Sequence, residues 1–188
     1  TYHYIFLNSG KQILKSYGVT IFITAVGTLG SMIITSMMAF AISIKTLKYR
    51  NVIAFIANFT IVFSAGLIPW YVVCVNYYHL KNSILALILP SIFSVWNMFL
   101  MRTYFSNISP SLYEAARIDG AGYFSIYWKV AIPLSKTAVL TVGLMYALQY
   151  WNDWWNAIML VDNKNLYPVQ YLLLQLKSQI SMLRDLQF

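Results

Sequence analysis

The sequence predicts an all-α protein, a polytopic bundle of membrane helices, and three observations carry that prediction. Hydrophobic residues make up 60% of the 188-residue chain and charged residues only 10%, against about 25% charged in a soluble domain. Its charge-free runs approach ~20 residues, the length that crosses a bilayer as a helix. The basic residues behind the net charge of +8 bracket these runs and do not form one block. They read as topology signals, not as a nucleic-acid surface.

Four spans are expected within a single transmembrane domain over residues 1–188. The first, about 19–44, is charge-free, and Gly27, Gly30, Ser31, Ser36, Ala39 and Ala41 give it a small-residue face of the kind that lets helix backbones approach closely in lipid. Lys45, Lys48 and Arg50 follow it and mark the cytoplasmic side. The second, about 52–78, carries Pro69 late in its course, which either kinks the helix or ends it. A short link leads to the third, about 83–105, whose second half holds Asn97 and Arg102. The fourth, about 137–161, is interrupted at Trp151-Asn152-Asp153-Trp154-Trp155-Asn156. Four crossings put residues from 162 onward on the outer side with the N-terminus. The tail from Tyr167, with Leu172–Leu174 among Gln, Lys, Arg and Asp residues, is expected to be an amphipathic surface helix.

The most informative segment lies between the third and fourth spans. Ser109-Pro110-Ser111 is a helix start, with a capping Ser and a Pro that fits the first turn. Glu114 is placed in that first turn, where a negative charge favours the helix dipole. Ala115 and Ala116 continue the helix, and Asp119-Gly120 stop it, since Gly after a helix end takes the left-handed conformation. A second short helix, about 123–130, precedes Pro133. The expected product is a helix-turn-helix hairpin, about 108–133, lying across the cytoplasmic surface. Its mixture of alanines and carboxylates suits a protein partner. An ordinary connector resting on headgroups is the alternative, although anionic lipid attracts basic residues, not Glu114 and Asp119.

Glu114-Ala115-Ala116-x-x-Asp119-Gly120-Ala121, followed by Val130-x-Ile132-Pro133, resembles the EAA loop of ABC importer permeases. The neighbourhood resembles their carbohydrate-uptake branch and the MetI/MalG-like permease fold: Leu87-Ile88-Leu89-Pro90, Pro133-Leu134-Ser135-Lys136, Trp151-Asn152-Asp153 and Leu166-Tyr167-Pro168-Val169. Thr137 stands where many relatives have Pro. Relatives usually have six spans, so the first and last helices are expected to be missing from this stretch of chain. The resemblance implies a permease subunit in a bacterial cytoplasmic membrane that moves a carbohydrate, an oligosaccharide in the first instance. It implies a second permease subunit, two ATPase subunits, an extracellular sugar-binding protein and surrounding membrane lipid as partners. Glu114, Ala115, Ala116, Asp119, Gly120 and Ala121 would be the residues that couple to the ATPase. A permease for a non-sugar solute fits the same motif.

No enzyme activity is expected of the chain itself. It has no G-x-x-x-x-G-K-[ST] phosphate loop, no paired carboxylates and no Ser-His or Cys-His arrangement. ATP and Mg would belong to the partner ATPase, with no cofactor or metal in this chain: Cys74 is the single cysteine, and His3 and His79 lie far apart. Ionisable residues within spans are candidate functional residues. Asp153, with Tyr150, Asn152 and Trp154, offers the aromatic faces and hydrogen-bonding groups that suit sugar rings. It could equally cap a helix at an interface. Asn97 and Tyr71 are further candidates for a substrate path, each with an alternative role as an interhelical hydrogen-bonder.

Overall fold

A computed structural model describes the backbone of residues 2–63 and 65–185 and the side chains of residues 10–63 and 65–182. Helices dominate, and there is no strand among the described residues. They are α1 (Tyr2–Ser43), α2 (Arg50–Val62), α3 (Leu67–Val72), α4 (Val95–Ser106), α5 (Pro110–Ile118), α6 (Tyr123–Ile126), α7 (Ile132–Leu134), α8 (Lys136–Trp151), α9 (Trp155–Leu160) and α10 (Val169–Asp185). Single-turn π-helical stretches follow α3 (Val73–Tyr77) and α6 (Tyr127–Ala131), and 3-10 turns occupy Ile84–Leu87, Leu89–Ser91 and Lys164–Leu166.

Proline accounts for much of this segmentation, because it lacks the N–H that an interior helical position donates. All five prolines lie at element boundaries or in short elements: Pro69 in the first turn of α3, Pro90 in a 3-10 turn, Pro110 at the start of α5, Pro133 in α7 and Pro168 just before α10. The first 68 residues contain none, and α1 runs for 42 residues without a break. It therefore starts well before the expected boundary at residue 19. The polar stretch Lys11–Ser16 is helical too.

Two further expectations change. The run 52–78 is two helices: α2 ends at Val62 and α3 begins at Leu67, directly after Gly66 at φ +85°, so Pro69 does not mark the break. The run 83–105 is α-helical only from Val95. Its first half is 3-10 turns, with Ser83 Oγ accepting from the Leu85 N–H (3.2 Å) and Ser94 Oγ from the Asn97 N–H (3.4 Å). Among the described residues, Gly10–Ser43 is the one helix that alone is long and apolar enough to cross a bilayer. Three pairs reach that length only when joined: Arg50–Val62 with Leu67–Tyr77, Ile84–Ser91 with Val95–Ser106, and Tyr123–Leu134 with Lys136–Trp151.

The chain divides into two compact units. The first comprises Thr1–Thr28, Ala65–Ser91 and Ala147–Phe188; the second comprises Leu29–Ser64 and Ile92–Tyr146. In the first unit, α10 is pinned to α1: the Val169 N–H donates to Thr20 Oγ1 (2.9 Å), whose own proton goes to the Ser16 carbonyl (2.9 Å). Asn82, at φ +58°, accepts from the backbone N–H groups of Asp162 (2.6 Å) and Asn163 (3.0 Å), beside a Lys81–Asp162 ion pair (3.2 Å). Tyr150 is a large, buried side chain of this unit, and its ring lies over Gly27: a Cβ added there would meet ring carbons at 2.7–2.8 Å.

The second unit is built around Ala39, Phe40 and Ile42 of α1, Met98, Met101 and Phe105 of α4, and Ile126, Tyr127 and Ala131. Lipid gives helices no hydrophobic drive toward one another, so packing and interhelical hydrogen bonds hold such bundles. Here Tyr146 of α8 bonds Thr35 of α1 (2.6 Å) and takes the Ser94 N–H (3.0 Å). Four aromatic rings, Phe40, Phe105, Tyr113 and Tyr127, cluster with Phe40 at the centre, at centroid distances of 5.4–6.2 Å.

Candidate coupling hairpin

The segment 109–134 folds as a hairpin within the second unit. Pro110 occupies the first position of α5, where its fixed φ suits a helix start and no N–H is needed. Ser109 does not cap the helix; its hydroxyl bonds that of Ser111 (2.8 Å). Glu114 is the fifth residue of α5, so it lies in the second turn and not the first. It contributes little to the helix dipole, whose effect fades within one turn.

The C-terminus of α5 follows the expectation. Gly120 has φ +82°. The Ala121 N–H bonds the Ala116 carbonyl (2.9 Å) and the Gly120 N–H bonds the Arg117 carbonyl (3.0 Å). These are the two bonds of a Schellman motif, which satisfies carbonyls the helix end would leave open. The return arm is α6, the π-helical turn Tyr127–Ala131 and α7, and it meets α8 at a bend of 86° around Ser135. The arm thus crosses the axis of α8.

The motif residues divide by environment. Ala116 and Ala121 are half-buried and pack on the unit's core, while Glu114, Ala115, Asp119 and Gly120 are exposed. Among the described residues, no hydrogen bond or ion pair holds the Glu114 carboxylate. A groove of about 170 Å³ opens beside it, lined in part by Phe40, Ile44, Tyr113, Glu114, Arg117 and Tyr123. Lys45 also lines it, so the first residue of the basic cluster after α1 stands beside the hairpin. The Arg117 guanidinium sits 5.4 Å from the centre of the Tyr123 ring.

Two tyrosines missed by the sequence reading fix the hairpin to its neighbours. The Tyr113 hydroxyl donates to the Phe105 carbonyl at the end of α4 (3.2 Å), and burial pushes its pKa up to about 12. Tyr127, buried, shares a 2.6 Å hydrogen bond with Ser36 Oγ of α1. Tyrosine in an apolar run looks like ordinary core in a sequence; the Ser36 spacing within a small-residue face was the available signal.

The substrate-path candidates separate between the units. Tyr150, Asn152, Asp153, Trp154 and Tyr71 belong to the first unit, and Asn97, buried in the first turn of α4, to the second. Tyr150 is 2% exposed and its hydroxyl donates to the Ile88 carbonyl (3.1 Å). Asp153 accepts from both the backbone N–H (3.1 Å) and the side-chain amide (2.5 Å) of Asn156, whose amide also reaches Ser91 Oγ (3.0 Å). That is the geometry of a carboxylate securing the start of α9. Asn152 and Trp154 are exposed next to it; Asn152 accepts from Gln170 (3.3 Å), and the Trp154 ring stands edge-on to Trp155 at 5.8 Å. Tyr71 is half-buried in α3.

Among known proteins, the chain is 39% identical over 175 residues to the polygalacturonan/rhamnogalacturonan transport system permease protein YtcP of Bacillus subtilis, an alignment covering 93% of this chain and 60% of that protein. It is 35% identical over 185 residues to the protein LplC of the same organism, covering 98% and 60%. The sn-glycerol-3-phosphate transport system permease protein UgpE of Yersinia pestis is 28% identical over 159 residues, covering 84% and 55%. The chain therefore spans about 60% of the length of the first two of these relatives. Among solved structures, the crystal structure of a bacterial ABC transporter involved in the import of the acidic polysaccharide alginate matches with a TM-score of 0.82 at 37% identity, over 85% of this chain and 57% of that one. The sequence profile of the binding-protein-dependent transport system inner membrane component matches residues 49–164, which takes in the whole hairpin; the chain belongs to that family of membrane proteins.

Proposed function

We propose that the chain is part of a permease subunit of an ATP-driven importer, embedded in a bacterial cytoplasmic membrane as a multi-pass protein, and that the hairpin 109–134 is where it docks on a cytoplasmic ATPase. The observation that carries the reading is the α5–Gly120–α6 turn with the Glu114 carboxylate exposed and unpaired in the described structure. A charged group in that state is available to a basic partner side chain. Ala115 and Asp119 share the exposed surface, Gly120 makes the turn, and Ala116 and Ala121 seat the helix on the core. ATP and Mg would be bound by the ATPase, and a second permease subunit and an extracellular binding protein would complete the assembly.

The proposed cargo is a carbohydrate. The names of YtcP and of the alginate importer both refer to acidic polysaccharides, so acidic oligosaccharides are the class to test first. Asn152 and Trp154, exposed beside the half-buried Asp153, form the polar and aromatic group of the first unit that is proposed to meet it; Asn97 and Tyr71 are secondary candidates. Tyr150 acts there as a packing residue.

Co-purification from detergent tests the docking reading. The native subunit is expected to retain its cognate ATPase, and Glu114→Lys and Gly120→Pro to lose it. Equal retention by all three proteins would refute it and leave the hairpin as a connector resting on lipid.

A further inference from the structure

We infer that the Tyr127–Ser36 hydrogen bond is the tie through which displacement of the hairpin is passed to α1, with Tyr127 and Ser36 as positioning residues outside the EAA motif. The inference rests on the docking reading above and names how the docked hairpin moves the rest of its unit.

The geometry is specific. Tyr127 begins the π-helical turn that follows α6, and isolated π turns within helices concentrate at functional positions. Both partners are buried, at 3% exposure for each, and their oxygens are 2.6 Å apart. Proton accounting gives the bond a direction. The Ser36 hydroxyl has one proton, and the Met32 carbonyl lies 2.5 Å from its oxygen, in line to accept it. Tyr127 therefore donates to Ser36 Oγ.

The tie sits about two turns inside the C-terminal end of α1, seven residues before Ser43. A pull on Tyr127 therefore acts on the C-terminal part of α1, inward of its last turn. The Tyr127 ring also packs on Phe40, one turn further along α1, at 5.4 Å, so a hydrogen bond and a ring contact act on the same stretch. By contrast, the motif alanines Ala116 and Ala121 offer only small apolar contacts to the core. They allow close approach but hold no direction. Tyr113 secures the other arm to the Phe105 carbonyl, which steadies the hairpin against α4 while Tyr127 engages α1.

The test uses the full subunit assembled with its ATPase in liposomes, with a nitroxide at Leu29→Cys in a Cys74→Ala background. Leu29 lies on α1 about two turns before Ser36 and is 66% exposed. Collision rates with oxygen and a nickel chelate are compared in the ADP and ATP–vanadate states. The parent is expected to change its accessibility between the two. Tyr127→Phe and Ser36→Ala are expected to reduce that change by about 2- to 30-fold, the range over which residues along a coupling network act, while ATPase binding and basal ATP turnover stay at the parental level. Ser36→Thr keeps the acceptor oxygen and is expected to restore the response. The double variant is expected to be no worse than the more severe single, because both remove one bond. An unchanged response in Tyr127→Phe and Ser36→Ala overturns the inference, as does a parent whose α1 label does not respond. A parent that fails to bind the ATPase, or a Glu114→Lys variant that binds it normally, refutes the docking reading itself and is a separate outcome.

Discussion

Replacing Gly27 by alanine gives a direct measure of how closely Tyr150 packs on α1. The added Cβ would stand 2.7 Å from Cζ and 2.8 Å from both Cε atoms of the Tyr150 ring, against about 3.5–4.0 Å for an optimal carbon–carbon contact. The methyl group would meet Cζ and both Cε atoms of a ring whose hydroxyl is held on the Ile88 carbonyl (3.1 Å). The ring must move by about 1 Å to restore that separation. Overpacking of a core by this amount costs about 1–3 kcal/mol, and loss of the hydroxyl bond adds about 0.5–1.5 kcal/mol. Against this, alanine is favoured over glycine in a helix by about 1 kcal/mol. The net expectation is destabilisation of about 0.5–3.5 kcal/mol. Gly18→Ala supplies the control, because its Cβ would meet nothing within 4 Å and only the helix-propensity gain remains. Thermal unfolding in detergent of both variants, and of Gly27→Ala combined with Tyr150→Leu, reads the difference. A Gly27→Ala protein that unfolds at or above the parental midpoint, with Gly18→Ala behaving as expected, would refute the close approach.

Three further outcomes are expected. Gly120→Ala, at φ +82°, should lose about 1–2 kcal/mol through left-handed strain, while Gly122→Ala at φ −71° should not; chemical denaturation of the two proteins compares them directly. Burial raises the Tyr113 pKa from 10.0 to about 12, so the folded state favours the neutral phenol. Its contribution to stability is complete below the unfolded value and is lost as pH rises through the folded one. The stability advantage of the parent over Tyr113→Phe should therefore shrink between pH 10 and about 12, and parallel unfolding curves across that range would count against the buried phenol. In the first unit, Asn82→Ala removes an acceptor for two backbone N–H groups and places alanine at φ +58°, for a cost of about 1–3 kcal/mol. Asn82→Gly should recover the part due to strain, and Lys81→Ala, which removes only an exposed ion pair, should leave the unfolding midpoint unchanged.

The elements legible in the sequence are those governed by local backbone chemistry. Pro110 starts α5 and Gly120 ends it, because one residue cannot donate an N–H and the other tolerates a left-handed turn. The break after Trp151 and the helical tail from Val169 follow from polar interruptions of apolar runs in the same way. The errors have a physical cause as well. Lys11–Ser16 is too polar to be read as span, yet Lys15 finds Asn165 (2.9 Å) and the helix simply continues. Pro69 was the visible suspect for a break, but a proline in a first turn is no obstacle to a helix; the interruption falls at Gly66. Glu114 falls just beyond the first turn although the helix starts at Pro110 as expected, because a turn holds about 3.6 residues and Glu114 is the fifth of α5.

The sequence by itself determined the helical class, the apolar character of the runs, the hairpin with its Schellman turn, and the family to which the motif points. Each depends on residues within a few positions of one another. Only the tertiary structure decided what the hairpin is fastened to. Ser36 and Tyr127 are 91 residues apart, and Tyr150 bonds the Ile88 carbonyl across 62. No periodicity encodes such pairs. They exist because buried hydroxyl groups in an apolar interior must find partners wherever the folded chain brings an acceptor within reach, and that is settled by packing.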